Sequence, residues 1–313
     1  MIASITHLKL DGVNNMKMNQ PWSESSLLIE IDRLVQTIAN DDAGVQYADI
    51  HQQLSNNLMR YVSIYQAGYD YSEYLDVFRC ACSQLGIFRA EIPIDDKLIT
   101  SLVNCIFAYS KLPVITRRVS DRRYQIKLNA KSIEKYASLL HEKYARLLVI
   151  RIDFGYREDN LHLITIEKHY QYLDALNKER YKNPLFEHLV GHAWCVEQGE
   201  TKGYHIHAVY YFKGSEHQND WYKAKQIGEL WQHLTNNLGT YHSCNTPQEK
   251  EKYQKNDKLG VGMIHRSDSL AVANSINAAK YLADTAKENQ YLRMIPNGRR
   301  ILGRGEVLQR DKK

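Results

Sequence analysis

The strongest constraint on this chain is a short glycine-bearing segment, Gln198-Gly-Glu-Thr-Lys-Gly203, set between two runs of strand-forming residues. The first run, Glu187–Glu197, is rich in Val, His, Trp and Cys, and the second is Tyr204–Phe212. The two glycines give the backbone freedom to reverse, so the runs are predicted to pair as an antiparallel hairpin. A hairpin alone buries too little apolar surface to stand in water. The flanking sequence supplies what it lacks. Leu147-Leu-Val-Ile-Arg-Ile-Asp-Phe154 is a third run of strand length, and helical spacing is predicted over Ser132–Tyr144, Ile164–Lys182, Asp220–Leu234 and Leu270–Glu288. In the third of these helices Trp221, Ala224, Ile227, Trp231 and Leu234 share one side. This part of the chain therefore reads as an α+β domain around a central antiparallel sheet.

Residues 23–110 show helical patterning instead, with Leu27, Ile31, Leu34 and Ile38 in one stripe and Leu54, Leu58, Tyr61 and Ile64 in another. Charge divides the chain near the same place. The net charge of +5 is too small to argue for a polyanionic partner, but residues 1–115 hold 8 Lys or Arg and 13 Asp or Glu, net −5, which leaves +10 for the remainder. Thr116-Arg-Arg-Val-Ser-Asp-Arg-Arg123 reads as a polar connector, so the expected organisation is a helical accessory domain over 1–118 and an α+β domain over 119–313 with a basic C-terminal tail. Five cysteines without CxxC spacing point to a reducing compartment, with Cys80 and Cys82 as buried structural thiols. With no apolar run near 18 residues and no signal-like start, a cytoplasmic location is expected, without a membrane or a nucleotide cofactor.

The second strand of the hairpin carries the residues for chemistry. Period-2 alternation puts His205 and His207 on one face and Ile206, Ala208 and Tyr210 on the other. Two imidazoles about 7 Å apart along a strand can meet one divalent ion. Glu197, at the end of the preceding strand, is the natural third ligand. This mixed set of nitrogen and oxygen suits Mg2+ or Mn2+, and its ligand types also admit zinc. A His-x-His pair is weak by itself, since 13 histidines would produce roughly half of one such pair by chance; two half-exposed strand histidines meet the same spacing. His192, His217, His233 and His242 have no partner in register and read as surface or satisfied residues.

In the Leu147–Phe154 run, Leu148, Ile150, Ile152 and Phe154 share one parity while Arg151 and Asp153 share the other, which predicts a sheet with a dry side and a wet side. Arg151 is then placed to hold a phosphate and Asp153 to support the metal site, a mutual ion pair being the alternative. The last helix puts Val272, Ile276, Ala279, Ala283 and Ala286 on an apolar stripe and Asn274, Asn277, Tyr281, Thr285 and Glu288 on a polar one. An outward tyrosine beside a bound cation can attack phosphorus and form a phosphotyrosyl intermediate. Residues 116–151 carry +7 and residues 291–313 carry +5, with Tyr124, Tyr136, Tyr144 and Tyr291 interleaved, a pattern of cations for phosphates and rings for bases. A solvated connector and a basic tail have the same composition. Arg151, Lys280, Lys287, Arg293, Arg299 and Arg300 are the candidate phosphate or DNA contacts.

Asp153 in its strand, Val196-Glu-Gln-Gly-Glu-Thr-Lys-Gly-Tyr-His-Ile-His207, Ile227-Gly-Glu-Leu-Trp231, Tyr281-Leu-Ala, Gln290-Tyr-Leu-Arg293 and Gly298-Arg-Arg-Ile-Leu-Gly-Arg-Gly305 together resemble the inovirus gene-2-product family. That family is also described as the YagK/YfjJ C-terminal domain family of phages and prophages. More broadly the chain is similar to HUH endonucleases, the rolling-circle replication initiators and relaxases. The resemblance covers residues 120–305 and leaves the helical part unassigned. It implies a ferredoxin-like or RRM-like sheet, with Mg2+ or Mn2+ held by His205, His207 and Glu197. It also implies that Tyr281 nicks single-stranded origin DNA, stays joined to the 5′ phosphate and later rejoins the strand; for the unassigned helical part the options are duplex-DNA recognition, dimer formation and recruitment of a host replication helicase. Many relatives carry Tyr-x-x-Lys and a second tyrosine one turn away, whereas here position 284 is Asp and position 278 is Ala. Lys280 and Lys287 lie nearby, and helix geometry turns Lys287 about 240° from Tyr281. The alternatives are a catalytically degraded, nucleic-acid-binding prophage regulator and a metal hydrolase unrelated to DNA.

Overall fold

The computed structural model describes residues 22–40, 47–89, 93–283 and 289–307. The helical patterning near the start becomes α1 (Glu24–Asn40), α2 (Tyr47–Ile64), α3 (Glu73–Gln84) and α4 (Asp96–Ser110), with a two-residue strand β1 (Asp70–Tyr71) between α2 and α3. Leu27, Ile31, Leu34, Ile38, Leu54, Leu58 and Tyr61 are all buried in one core, as the stripes require. Asp95 caps α4 by accepting the Leu98 N–H.

Helix α5 (Pro113–Lys143) follows, 31 residues long, with Pro113 in its first turn where the missing N–H has no intrahelical partner to lose. Thr116–Arg123, read from sequence as a connector, is therefore interior helix, and the 118/119 boundary falls inside a single element. No Gly or Pro interrupts the stretch, and two of its four arginines face α3 rather than solvent. Arg118 Nη1 lies 2.6 Å from Asp76 and Arg122 Nε 3.1 Å from Glu73, both on α3.

Beyond α5 the chain runs β2 (Arg146–Tyr156), α6 (Ile166–Lys182), β3 (Leu189–Gly199), β4 (Gly203–Lys213), α7 (Asp220–Leu234) and β5 (Gly239–Ser243). It then continues as α8 (Pro247–Gln254), β6 (Gly262–His265), α9 (Ser269–Lys280), β7 (Met294–Ile295) and β8 (Leu302–Arg304). The sheet has the order β5-β2-β4-β3-β8, antiparallel throughout. β6 shares an edge with β5, pairing with Arg146–Val149 while β5 pairs with Ile152–Tyr156. The fold is α+β with a central antiparallel sheet.

The expected division into a dry and a wet side does not hold, because helices cover both faces. Leu148, Ile150, Ile152 and Phe154, with Ile206, Ala208 and Tyr210, pack with α6 and α7 in a core continuous with that of α1–α4. Leu147, Val149, Ala193, Val209 and Tyr211 pack on the other side with Ile133, Ala137 and Leu140 of α5 and with Ala279 and Leu282. Polar side chains gather only at one end of this second face. α9 stops at Lys280, short of the predicted Glu288, and Tyr281–Ala283 forms a 3₁₀ turn. Asp284, Lys287 and the last residues of the basic tail lie outside the described residues.

The helical half docks on the hairpin. Glu24 accepts from the Ile166 N–H at the start of α6 and from the Tyr204 hydroxyl, both at 2.8 Å. Gln198 Nε2 donates to the Ser25 carbonyl, Arg33 makes two hydrogen bonds to Glu200, and β1 pairs with β7. The five cysteines are free thiols, Cys82 buried as expected and Cys80 half-buried. Among the described residues no single helix is long and apolar enough to cross a membrane.

Candidate metal centre

Register decides which side chains meet. Glu197 lies directly opposite His205 and Cys195 opposite His207 across β3 and β4, while Asp153 lies opposite His207 across β2 and β4. Cross-strand partners share a face, so Glu197, His205, His207 and Asp153 reach one patch. The hairpin closes through the Gly199–Gly203 pair, with Gly203 at φ +62°, a conformation that favours glycine. Gly199 also makes room for the ligand ring, since a Cβ there would stand 3.3 Å from His205 Cε1.

Glu197 Oε2 is 3.0 Å from His207 Nε2 and 3.4 Å from His205 Nε2. One ligand atom from each of the three residues lies within 4.8 Å of the others, and all three side chains are buried. The remote nitrogens are engaged as well. His207 Nδ1 is 2.5 Å from Asp153 Oδ1, and His205 Nδ1 is 3.1 Å from the Gly203 carbonyl oxygen. An acceptor at Nδ1 places the proton there and turns the Nε2 lone pair toward the third residue, which is how metal-binding histidines are oriented. Burial opposes charge on His207, but the hydrogen bonds it donates to Asp153 and Glu197 outweigh it and raise its pKa above the ordinary value. Two carboxylates around one imidazole call for positive charge, which a divalent cation supplies as well as a proton does. The donor set thus fits a hard or borderline divalent ion.

Arg151 and Tyr281 adjoin this patch. Arg151 is buried on β2, its backbone N–H donated to Asn245 Oδ1 at 2.9 Å. Its guanidinium carbon sits 5.1 Å from the centre of the Tyr281 ring, and its Nε is buried without an acceptor. Tyr281 ends α9 and is 44% exposed, so its phenol is reachable from solvent.

The remaining cations are elsewhere. Lys280 pairs with Glu134 of α5 at 3.0 Å. Arg293 does not serve as a surface phosphate contact: it is buried and ion-paired with Asp32 at 3.6 Å, where an interior carboxylate draws it in. Arg299 pairs with Asp174 of α6, on the face opposite the histidines, and the neighbouring Arg300 is exposed there. Two of the proposed stacking rings are also occupied. Tyr291 is held between Arg122 and Arg293 and donates to Asp32, and Tyr136 is buried. Tyr124, 64% exposed, remains available.

Sequence reading missed His242. It pairs opposite Asp153 across β5 and β2, so His242, Asp153, His207 and Cys195 form one row over four strands. The only signal was the polar alternation of Thr240 and His242 within a five-residue strand. Comparisons with protein-family models, curated proteins and solved structures give no match.

Proposed function

We propose that this protein is a metal-dependent, site-specific single-strand DNA endonuclease and strand transferase of the HUH type, acting in rolling-circle replication initiation of a phage or prophage element. The observation that carries the reading is the convergence of Glu197, His205 and His207 with Asp153 behind His207. The element order β2-α6-β3-β4-α7-β5, with strands ordered β5-β2-β4-β3, supports it, since this is the split βαβ arrangement of ferredoxin-like sheets.

His205 and His207 through Nε2, and Glu197 through its carboxylate, would hold Mg2+ or Mn2+. The bound cation would polarise the phosphoryl group and stabilise its developing charge. Arg151 holds a non-bridging phosphate oxygen through the guanidinium edge left without an acceptor. The Tyr281 oxygen bonds to phosphorus as the bond from phosphorus to the 3′ oxygen breaks. The tyrosyl proton is lost, the 3′ hydroxyl gains one, and the 5′ phosphate stays on the protein. Attack by a 3′ hydroxyl reverses the step and joins strands.

Incubation with single-stranded DNA and Mn2+, followed by denaturing electrophoresis, tests this. A covalent adduct is expected with the unmodified protein and none with Tyr281→Phe; unchanged cleavage by Tyr281→Phe removes Tyr281 as nucleophile. The Asp153–His207–Glu197–His205 set also satisfies its own hydrogen bonds, which favours a second reading, a nucleic-acid-binding regulator without turnover. On that reading His205→Ala and His207→Ala leave DNA affinity unchanged and the protein takes up no metal.

A further inference from the structure

A second cluster lies toward the other end of β3. β8 pairs with β3 only over Ala193–Cys195, so the β3 edge continues past it at Leu189–His192. A cavity of about 280 Å3 opens there, lined by Tyr136, Arg180, Tyr181, Phe186, His192 and Gly305 among others. Gly305 keeps it open, since a Cβ at that position would stand 2.6 Å from the Tyr136 hydroxyl and 3.3 Å from the His192 ring.

The cavity has the chemistry of an anion site. Arg180 of α6 is half-buried; its Nη1 donates to His192 Nε2, and its Nε is buried without an acceptor. Burial lowers the Arg180 pKa, and the groups around its charge are Tyr210, Tyr181 and Tyr136, with His192 adjacent and no carboxylate among them. Burial and the Arg180 charge hold His192 down to about 3, so it stays neutral. A second cation flanks the same hydroxyl. Arg304 places its guanidinium 5.4 Å from the Tyr136 ring centre, with Nε on Ser132 Oγ and Nη1 on the Gly305 carbonyl. Among the described residues neither arginine has a carboxylate within ion-pair distance, and Glu306 at the rim is exposed. A half-enclosed guanidinium without a counter-charge favours a ligand rich in acceptor oxygens, and phosphate matches its fork.

A ring stands beside these cations. Tyr181 is 85% exposed, the most open large hydrophobic side chain among the described residues, with Arg180 Cζ 5.5 Å from its centre. An exposed ring whose face is open to solvent beside a guanidinium suits base stacking. We infer that this cavity is a nucleotide subsite, taking a phosphate between Arg180 and Arg304 and a base on Tyr181. His192 is five residues from Glu197, about 17 Å along the strand. The two side chains project from opposite faces of the sheet, so a strand that reaches both the subsite and the metal centre has to pass round the β3–β8 edge and needs more than the about five stacked nucleotides that span 17 Å. Assigning the ligand to a DNA strand rests on the endonuclease reading; the anion site itself does not.

The test uses the full chain, measuring fluorescence anisotropy with short labelled oligo-dT and calorimetry with dTMP and with inorganic phosphate. Tyr181→Ala and Arg304→Gln, both at exposed positions, and Arg180→Gln are each expected to weaken oligonucleotide binding about tenfold, while Tyr181→Phe keeps it. Thermal melting verifies that each variant is folded. Oligonucleotide binding equal to the unmodified protein in all three weakened variants overturns the subsite. If these variants lose affinity but the unmodified protein never cuts any strand, the subsite stands and the endonuclease reading falls. If the unmodified protein binds dTMP or phosphate through Arg180 and ignores oligonucleotides, the assignment to a strand is overturned in favour of a free nucleotide or anion.

Discussion

At the scale of single residues, the acceptors on the two Nδ1 atoms orient the candidate metal centre. Removing a carboxylate that orients a ligand imidazole typically costs 10- to 100-fold in metal affinity, about 1.4 to 2.7 kcal/mol. Asp153→Asn is expected to weaken Mn2+ binding by that amount in calorimetry and also to lower the melting temperature of the metal-free protein, because Asp153 helps hold the proton on buried His207. Glu24 makes a different prediction. Burial lifts its carboxyl to about 7, against hydrogen bonds from Tyr204 and the Ile166 N–H that pull it down. A raised acid favours the folded state when protonated, so its contribution is full below about pH 4.5 and is lost as pH rises through about 7, an effect of about 3 kcal/mol. Glu24→Gln should flatten the fall in melting temperature between about pH 5 and pH 8; an unchanged slope would remove Glu24 as its source. The convergence of Glu197, His205 and His207 was legible in the sequence because period-2 alternation and a hairpin fix both face and register. Arg293 was not, since the direction of a long cationic side chain depends on Asp32, 261 positions away in the chain.

Among elements, the long strands and amphipathic helices appear where spacing predicts them, and the misreadings have physical causes. α5 was missed as one helix because its first half is exposed and polar, so no apolar stripe marks it; what holds it is pairing with Asp76 and Glu73. β5, β6 and β8 have five, four and three residues, too few to display a period. The contact of α7 with β5 offers a test of packing against propensity. Gly228 lies inside α7, where Ala is favoured by about 1 kcal/mol, but a Cβ there would stand 2.3 Å from the Tyr241 ring. Overpacking costs about 1 to 3 kcal/mol, so Gly228→Ala is expected to lower the denaturation midpoint. In a Tyr241→Ala background the same change should raise it, and a loss in both backgrounds would place the clash elsewhere.

For the whole molecule, the change of charge near residue 115 marks a change of surface rather than a break in the core, which runs from α1–α4 into the sheet. Unfolding followed by helix content and by tryptophan emission should give coincident transitions. Of the ion pairs that join the halves, two differ most in exposure, and their surroundings rank them. Arg33 with Glu200 is exposed and worth under about 1 kcal/mol. Asp32 with Arg293 is buried, and Asp32→Ala would strand a guanidinium inside the protein at about 3 kcal/mol or more. Chemical denaturation should show that order, and equal losses would contradict it. α5 carries a further consequence for how the chain can vary. It is one rod some 46 Å long that touches α3 near its start and the sheet near its end. Deleting one residue midway would rotate everything beyond it by about 100° and draw it back about 1.5 Å. Length changes there should therefore be tolerated only in steps near a whole number of turns, such as seven or eleven residues, and a chimera joined at 118/119 must keep the helical phase of both parents.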